Sequence, residues 1–283
     1  MNHTGSIPQN NPHRTTVVVI PARLGSTRLA AKALLDIAGK PMVCWVAERA
    51  KAAKNVDQVI VATDSSRILD VVGSLGIDAV LTSEFHASGT DRIAEVARSL
   101  PSAEIVVNLQ GDEPLISPET IERAVDRMHA EFLLADGAGI VTTWEPIEDF
   151  NDLTNIDLVK VAVGDQEQAL YFSRSPIPCP RDVIKKYGEL WPAFKNEPEL
   201  LKLFRKHTGL YVYRRNVLLE FTSWPQTKLE QLEALEQLRA MEHGVLIRVI
   251  QASSSSIGVD TREDLQRVRE LINEGKFEAS TAS

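Results

Sequence analysis

Apolar positions in the first half of the chain fall into blocks that switch between two periods. Val17-Val18-Val19-Ile20 is a continuous β-branched run, the pattern of a strand covered on both faces. Residues 41–51 place Met42, Val43, Val46 and Ala50 at helical spacing, with Pro41 as a favoured first helical residue. Residues 58–62 predict a second strand, and Thr63-Asp64-Ser65 after it starts a helix. A short third strand at 79–81, a helix at 92–100 and a fourth strand at 105–109 follow. Strands that alternate with helices predict a parallel sheet with helices on both faces.

Beyond Gly139 the pattern changes. Residues 140–144, 159–163, 169–172 and 210–213 predict strands with fewer helices between them, so part of this half is expected to be antiparallel. Leu229, Leu232, Leu235 and Leu238 predict one amphipathic helix over 229–243. A strand at 246–251 and a helix at 264–272 close the fold. Residues 176–180 and 185–206 read as a charged, Pro-containing excursion with little core. The expected organisation is a leader at 1–16, one domain over 17–273 with an inserted lobe, and a tail at 274–283; leader and tail are expected to be disordered.

Composition narrows the function classes. Apolar residues make up 43% of the 283, enough for a large core. The formal net charge of −8 argues against a nucleic-acid partner, which demands basic faces. No apolar stretch approaches the roughly 20 residues that span a bilayer, and the first residues lack the apolar region of a secretory signal. Cys44 and Cys179 are the only cysteines and share no metal or redox spacing. Cys44, inside an apolar helical pattern, reads as a core residue. A reducing, cytoplasmic setting is expected.

Candidate chemistry sits where strands end. The first strand empties into Pro21-Ala22-Arg23-Leu24-Gly25-Ser26-Thr27-Arg28-Leu29, with Lys32 beyond. Backbone N–H groups, two arginines and a lysine at the carboxyl edge of a sheet suit a triphosphate. Neither standard glycine fingerprint is present. The bland reading is an exposed basic loop. The fourth strand ends in Gln110-Gly111-Asp112-Glu113-Pro114, where Asp112 is either a Mg²⁺ ligand or a turn residue. Asp260 is either a second metal carboxylate or the N-cap of the last helix. Ser88 and Thr90 can face a base or ribose and Arg92 an anion, or the segment is a simple helix cap. Arg174, His207 and Tyr211 could bind the carboxylate and hydroxyls of an acidic sugar, although each alone is more often structural. Ser26 lacks the partners of a nucleophilic triad, and no zinc motif occurs.

The blocks P-A-R-x-x-S-T-R-L-x-x-K, A-T-D, H-x-S-G-T-D-R, V-N-x-Q-G-D-E-P, Y-F-S-R-x-x-I-P, H-x-G-L-Y, L-E-Q-L-R-x-x-E-H-G and G-V-D-T occur in this order. Together they resemble the 3-deoxy-manno-octulosonate (Kdo) cytidylyltransferases of lipopolysaccharide synthesis, from about residue 17 to about residue 272. The resemblance implies an α/β, Rossmann-like nucleotide-diphospho-sugar transferase fold. Its central sheet would be mostly parallel, with a smaller mixed lobe for dimerisation and sugar binding. It implies a homodimer, Mg²⁺ as cofactor, and the reaction of CTP with Kdo to give CMP-Kdo and pyrophosphate. By position, Arg23, Ser26, Arg28 and Lys32 would hold CTP, and Ser88, Gly89, Thr90 and Arg92 its cytidine side. Asp112 and Asp260 would ligate the metal, with Lys32 and Arg23 catalytic beside them. Gln110, Arg174, His207, Tyr211 and Glu233 would face Kdo. The family usually has proline where this chain has Ala30 and Ala33, so the phosphate loop is expected to be less stiff. A sialate or amino-Kdo cytidylyltransferase, or a non-catalytic regulator on the same fold, would share much of this pattern; a regulator would be expected to lack the acids or Lys32.

Overall fold

A computed structural model describes residues 13–25 and 29–275. Most of the leader, the tail from residue 276, and Ser26, Thr27 and Arg28 of the basic loop lie outside them. The end of the leader is held: His13 pairs with Asp57 and Arg14 with Glu104, and Thr16 already belongs to the first strand.

In chain order the first half comprises β1 (Thr16–Ala22), a 3-10 turn (Lys32–Leu34), β2 (Asp36–Ile37), β3 (Lys40–Pro41), α1 (Met42–Lys51), β4 (Gln58–Thr63), α2 (Ser66–Ser74), β5 (Asp78–Leu81), α3 (Gly89–Ser99), β6 (Ile105–Asn108) and α4 (Pro118–Glu131). The second half comprises β7 (Ile140–Pro146), α5 (Phe150–Thr154), β8 (Lys160–Val163), β9 (Ala169–Ser173), α6 (Arg181–Tyr187), α7 (Leu190–Asn196), a 3-10 stretch (Pro198–Leu203), β10 (Arg205–Arg214), α8 (Arg215–Phe221), α9 (Lys228–Glu233), α10 (Gln237–Glu242), β11 (Ile247–Gln251) and α11 (Arg262–Asn273).

The main sheet runs β11-β7-β10-β6-β1-β4-β5. Within that order β10 alone is antiparallel to its neighbours β6 and β7. The β8–β9 hairpin branches from β10 and forms the smaller antiparallel part. Successive side chains of a strand point to opposite faces. Val18 and Ile20 accordingly join Val43, Val46, Ile68, Ile121 and Val125 in one apolar cluster. Val17 and Val19 join Ile93, Val96, Leu218, Phe221 and Leu238 in another. A sheet buried on both faces is the reason β1 reads as an unbroken apolar run.

Several local expectations are corrected. Pro41 precedes α1: it pairs in β3 against Asp36 of β2, and the Met42 N–H reaches the Leu35 carbonyl. The helix expected over 229–243 is broken in two. Ala234 takes a left-handed φ of 52°, and the Arg174 guanidinium bonds the carbonyls of Glu233 and Ala234 at the break. The excursion over 185–206 has a core of its own, in which Phe194 and Phe204 pack with Ile147 and Leu153. The strand expected over 210–213 begins earlier, at Arg205, so His207 lies within β10, beside a bulge. The 14-residue α4 carries no earlier expectation; Pro118 opens it and Ile121, Ala124, Val125 and Met128 bury one face. Cys44 is fully buried, as expected.

Candidate active site

The site forms where β1, β6 and the loop before α11 come together. Lys32, on its short 3-10 turn, points its ammonium between two carboxylates from distant parts of the chain. It donates to Asp112 at 2.6 Å and to Asp260 at 2.8 Å. Burial presses the Lys32 pKa down, but Asp112 and then Asp260 outweigh it and hold the ammonium above its ordinary value. Asp260 is not the N-cap of α11: Thr261 is, in a reciprocal capping box with Asp264. Glycine at residue 111 lets the turn after β6 press close against β1: a Cβ there would stand 3.1 Å from the Pro21 carbonyl oxygen, a tight contact.

A cavity of about 280 Å³ opens above these groups. Its wall includes Arg23, Lys32, His86, Ser88, Gly89, Arg92, Gln110, Asp112 and Asp260. Eight of the expected site residues are thus gathered around one space; Ser26 and Arg28 lie outside the described residues. Ser88 caps α3 in a box with Asp91. Thr90 donates to Glu236 at 2.7 Å. Arg92, 4% exposed, is engaged by Asp64 at 2.7 Å and by the Thr82 hydroxyl, so its guanidinium braces the cavity wall.

The expected sugar-side residues divide. Gln110 lines the cavity, its amide donating to Asn108 at 2.8 Å. Tyr211 is paired across the strands with Asn108 and sits against the His207 ring. Burial depresses the His207 pKa to about 3, and its Nε2 lies 2.8 Å from the Thr142 hydroxyl. Burial raises the Tyr211 phenol well above its ordinary value, with Tyr213 and Glu236 adding to it. Of the expected sugar-side residues only Gln110 is in the cavity wall; Arg174, His207, Tyr211 and Glu233 are not, and Arg174 and Glu233 bond each other. The Glu233 carboxylate accepts from the Ser173 hydroxyl and the Arg174 N–H, and the Arg174 guanidinium takes the carbonyls of Ile156, Glu233 and Ala234.

Two residues at the site were not singled out from sequence. Glu236 joins Thr90 on α3 to the Tyr211–Tyr213 side of β10; it stands in the L-E-Q-L-R block, which was the available signal. His86 lines the cavity and is held by Glu95. Glu113, beside Asp112, is pushed up to about 8 by burial, then by the carboxylates of Asp112 and Glu145. Among the described residues, no group of three or more His, Cys, Asp and Glu is placed to hold a metal unaided.

An open, mainly parallel sheet with cations and paired acids at its carboxyl edge defines a nucleotide-binding α/β protein. Residues 17–248 match the cytidylyltransferase family. The chain is 47% identical over 259 residues to the 3-deoxy-manno-octulosonate cytidylyltransferase of Trichlorobacter lovleyi, covering 92% of this chain and 99% of that one. It is 47% identical over 254 residues to the protein of the same name from Geobacter sulfurreducens, covering 90% and 98%. The solved structure of a CMP:2-keto-3-deoxy-manno-octonic acid synthetase complexed with CTP superposes with a TM-score of 0.81 at 40% identity, covering 92% of this chain and 99% of that one. The chain belongs to the cytidylyltransferase family, on the branch of the 3-deoxy-manno-octulosonate enzymes.

Proposed function

We propose that this chain transfers the cytidylyl group of CTP to Kdo, giving CMP-Kdo and pyrophosphate. The observation that carries this reading is the meeting of Asp112 and Asp260 on the Lys32 ammonium at the mouth of the cavity. In the reaction the anomeric hydroxyl of Kdo gives up its proton to solvent as its oxygen forms a bond to the α-phosphorus. The bond from that phosphorus to the bridging oxygen breaks, and pyrophosphate leaves in line. Lys32 and Arg23 stabilise the negative charge that gathers on the leaving group. Gln110 and Tyr211, with Glu236 beside them, orient the sugar. No covalent bond to the enzyme is required.

The donor set fits Mg²⁺. Two carboxylates from separate loops face one cation, here the ammonium of Lys32, and Mg²⁺ is ordinarily held by one or two carboxylates plus substrate phosphates. Asp112 and Asp260 would hold it, and it would neutralise phosphate charge and lower the pKa of the attacking hydroxyl.

Exposed apolar side chains support the homodimer. Ile156 (70% exposed), Leu170 and Leu203 lie on the smaller lobe, and Leu232 on α9 is 83% exposed. A contiguous apolar patch would mark an interaction face. Sedimentation equilibrium reads the assembly directly, and a monomer at micromolar concentration would remove it.

Pyrophosphate release with CTP, Kdo and Mg²⁺, together with detection of CMP-Kdo, tests the function. Turnover of sialate or 8-amino-Kdo in preference to Kdo would move the chain to another acidic sugar. No turnover with any of them would overturn the catalytic reading.

A further inference from the structure

A buried carboxylate on β7 faces a partly buried ammonium on β10, and the proposed chemistry uses neither. Glu145 on β7 is 2% exposed. Its Oε1 accepts the backbone N–H of Ser256 at 2.9 Å. Its Oε2 stands 3.0 Å from the Lys206 ammonium, on the directly opposite residue of β10. Ser256 lies on the irregular loop between β11 and α11, which ends at Asp260. That loop is also tied where the Ala252 N–H meets the Trp144 carbonyl and where the Val259 N–H meets the Asp112 carbonyl. Ser256 is its midpoint.

The geometry points to Glu145 as a positioning residue for the metal carboxylates: by anchoring Ser256 it sets where Asp260 stands relative to Asp112 and Lys32. Lys206, on the neighbouring strand, stands at ion-pair distance from the other carboxylate oxygen. An acceptor fixed on the sheet then holds a loop that has no ladder of its own. The inference rests on the metal reading given above.

Two variants separate position from charge. Glu145→Asp keeps the charge but withdraws the acceptor by about 1.5 Å, the length of one carbon–carbon bond, beyond hydrogen-bond range of Ser256. Glu145→Gln keeps the acceptor in place without the charge, and Lys206, with 23% of its side chain exposed, keeps a path to water. The measurement is Mn²⁺ binding by electron paramagnetic resonance on the full chain with CTP. Glu145→Asp is expected to weaken Mn²⁺ at least fivefold and Glu145→Gln no more than about twofold. Excess Mg²⁺ is expected to restore turnover in Glu145→Asp. Mn²⁺ binding in Glu145→Asp equal to the parent's, or equal losses in both variants, overturns the inference. Asp260→Asn is the reference: if it loses Mn²⁺ and Glu145→Asp does not, only the Glu145 inference fails; if Asp260→Asn binds Mn²⁺ normally, the metal reading fails and this inference with it. Should neither Glu145 variant fold, amide exchange in the parent decides. The Ser256 N–H is expected to exchange as slowly as the amides of β7, and fast exchange overturns the anchor.

Discussion

Val259 donates its backbone N–H to the carbonyl oxygen of Asp112 at 2.9 Å. The bond joins the two acid-bearing loops directly, one residue from Asp260 and at Asp112 itself. The carboxylates are therefore held as a pair, and removing either charge is expected to disable the site without unfolding it. Asp112→Asn and Asp260→Asn should each lower kcat by about 10²-fold, the scale of one preorganised electrostatic contact. The amide is isosteric, so the circular dichroism spectrum should be unchanged. Near-parent turnover in either variant at saturating Mg²⁺ would remove that residue from the metal pair.

Arg174 is expected to act on the sugar side through the helix break whose carbonyls it bonds. Its guanidinium serves carbonyls at Ile156, Glu233 and Ala234, on both sides of the gap between α5 and α9. Arg174→Ala frees those carbonyls and costs about 1.5–3 kcal/mol, the range for hydrogen bonds that involve a charged group. The KM for Kdo should rise more than the KM for CTP, because Glu233 and Glu236 flank the break. A lower Tm with both KM values unchanged would confine Arg174 to scaffolding.

The strands were legible in the sequence because burial on both faces leaves an unbroken apolar run, as at Val17–Ile20 and in β6. The helix break at Ala234 was not. Leucine spacing carries straight through it, and the group that bonds the carbonyls at the break, Arg174, is distant in sequence. Helix α4 was missed although Ser117-Pro118-Glu119 is a starting signal, because the charged residues through Glu131 mask its apolar stripe. The members of the site were legible as motifs in order. Their convergence was not, since no spacing relates Lys32 to Asp260. Glu236 and Glu145 escaped for the same reason: their partners, Thr90 and Ser256, are supplied by tertiary folding alone.

His207 makes stability depend on acid. Its folded pKa is depressed to about 3, against about 6.5 in an unfolded chain. The unfolded state therefore binds the extra proton first, and the stabilisation present above pH 6.5 is lost as pH falls toward 3. The slope in that window is at most about 1.4 kcal/mol per pH unit. His207→Gln should flatten it, measured as urea midpoints at pH 4.5 and 7. An unchanged difference between the two pH values would place the acid sensitivity elsewhere.

The last prediction concerns the phosphate loop with its missing proline at position 33. Ala33 is 7% exposed and lies in the Lys32–Leu34 turn, whose bonds run from Leu34 to Ala31 and from Leu35 to Lys32. Neither bond uses the Ala33 N–H, so proline there removes nothing the turn depends on. A proline compatible with its backbone gains about 0.4–1 kcal/mol by restricting the freer state. Ala33→Pro should therefore tighten CTP binding by about two- to fivefold, with kcat little changed. Two effects oppose this. Proline disfavours helical geometry at the residue before it, here Lys32, and a shift of Lys32 would loosen its contacts with Asp112 and Asp260. If the Ala33 N–H serves a phosphate oxygen, proline also deletes that donor. Calorimetric titration of CTP separates the outcomes: tighter binding supports lost rigidity as what the alanine costs this chain, and unchanged or weaker binding rules it out.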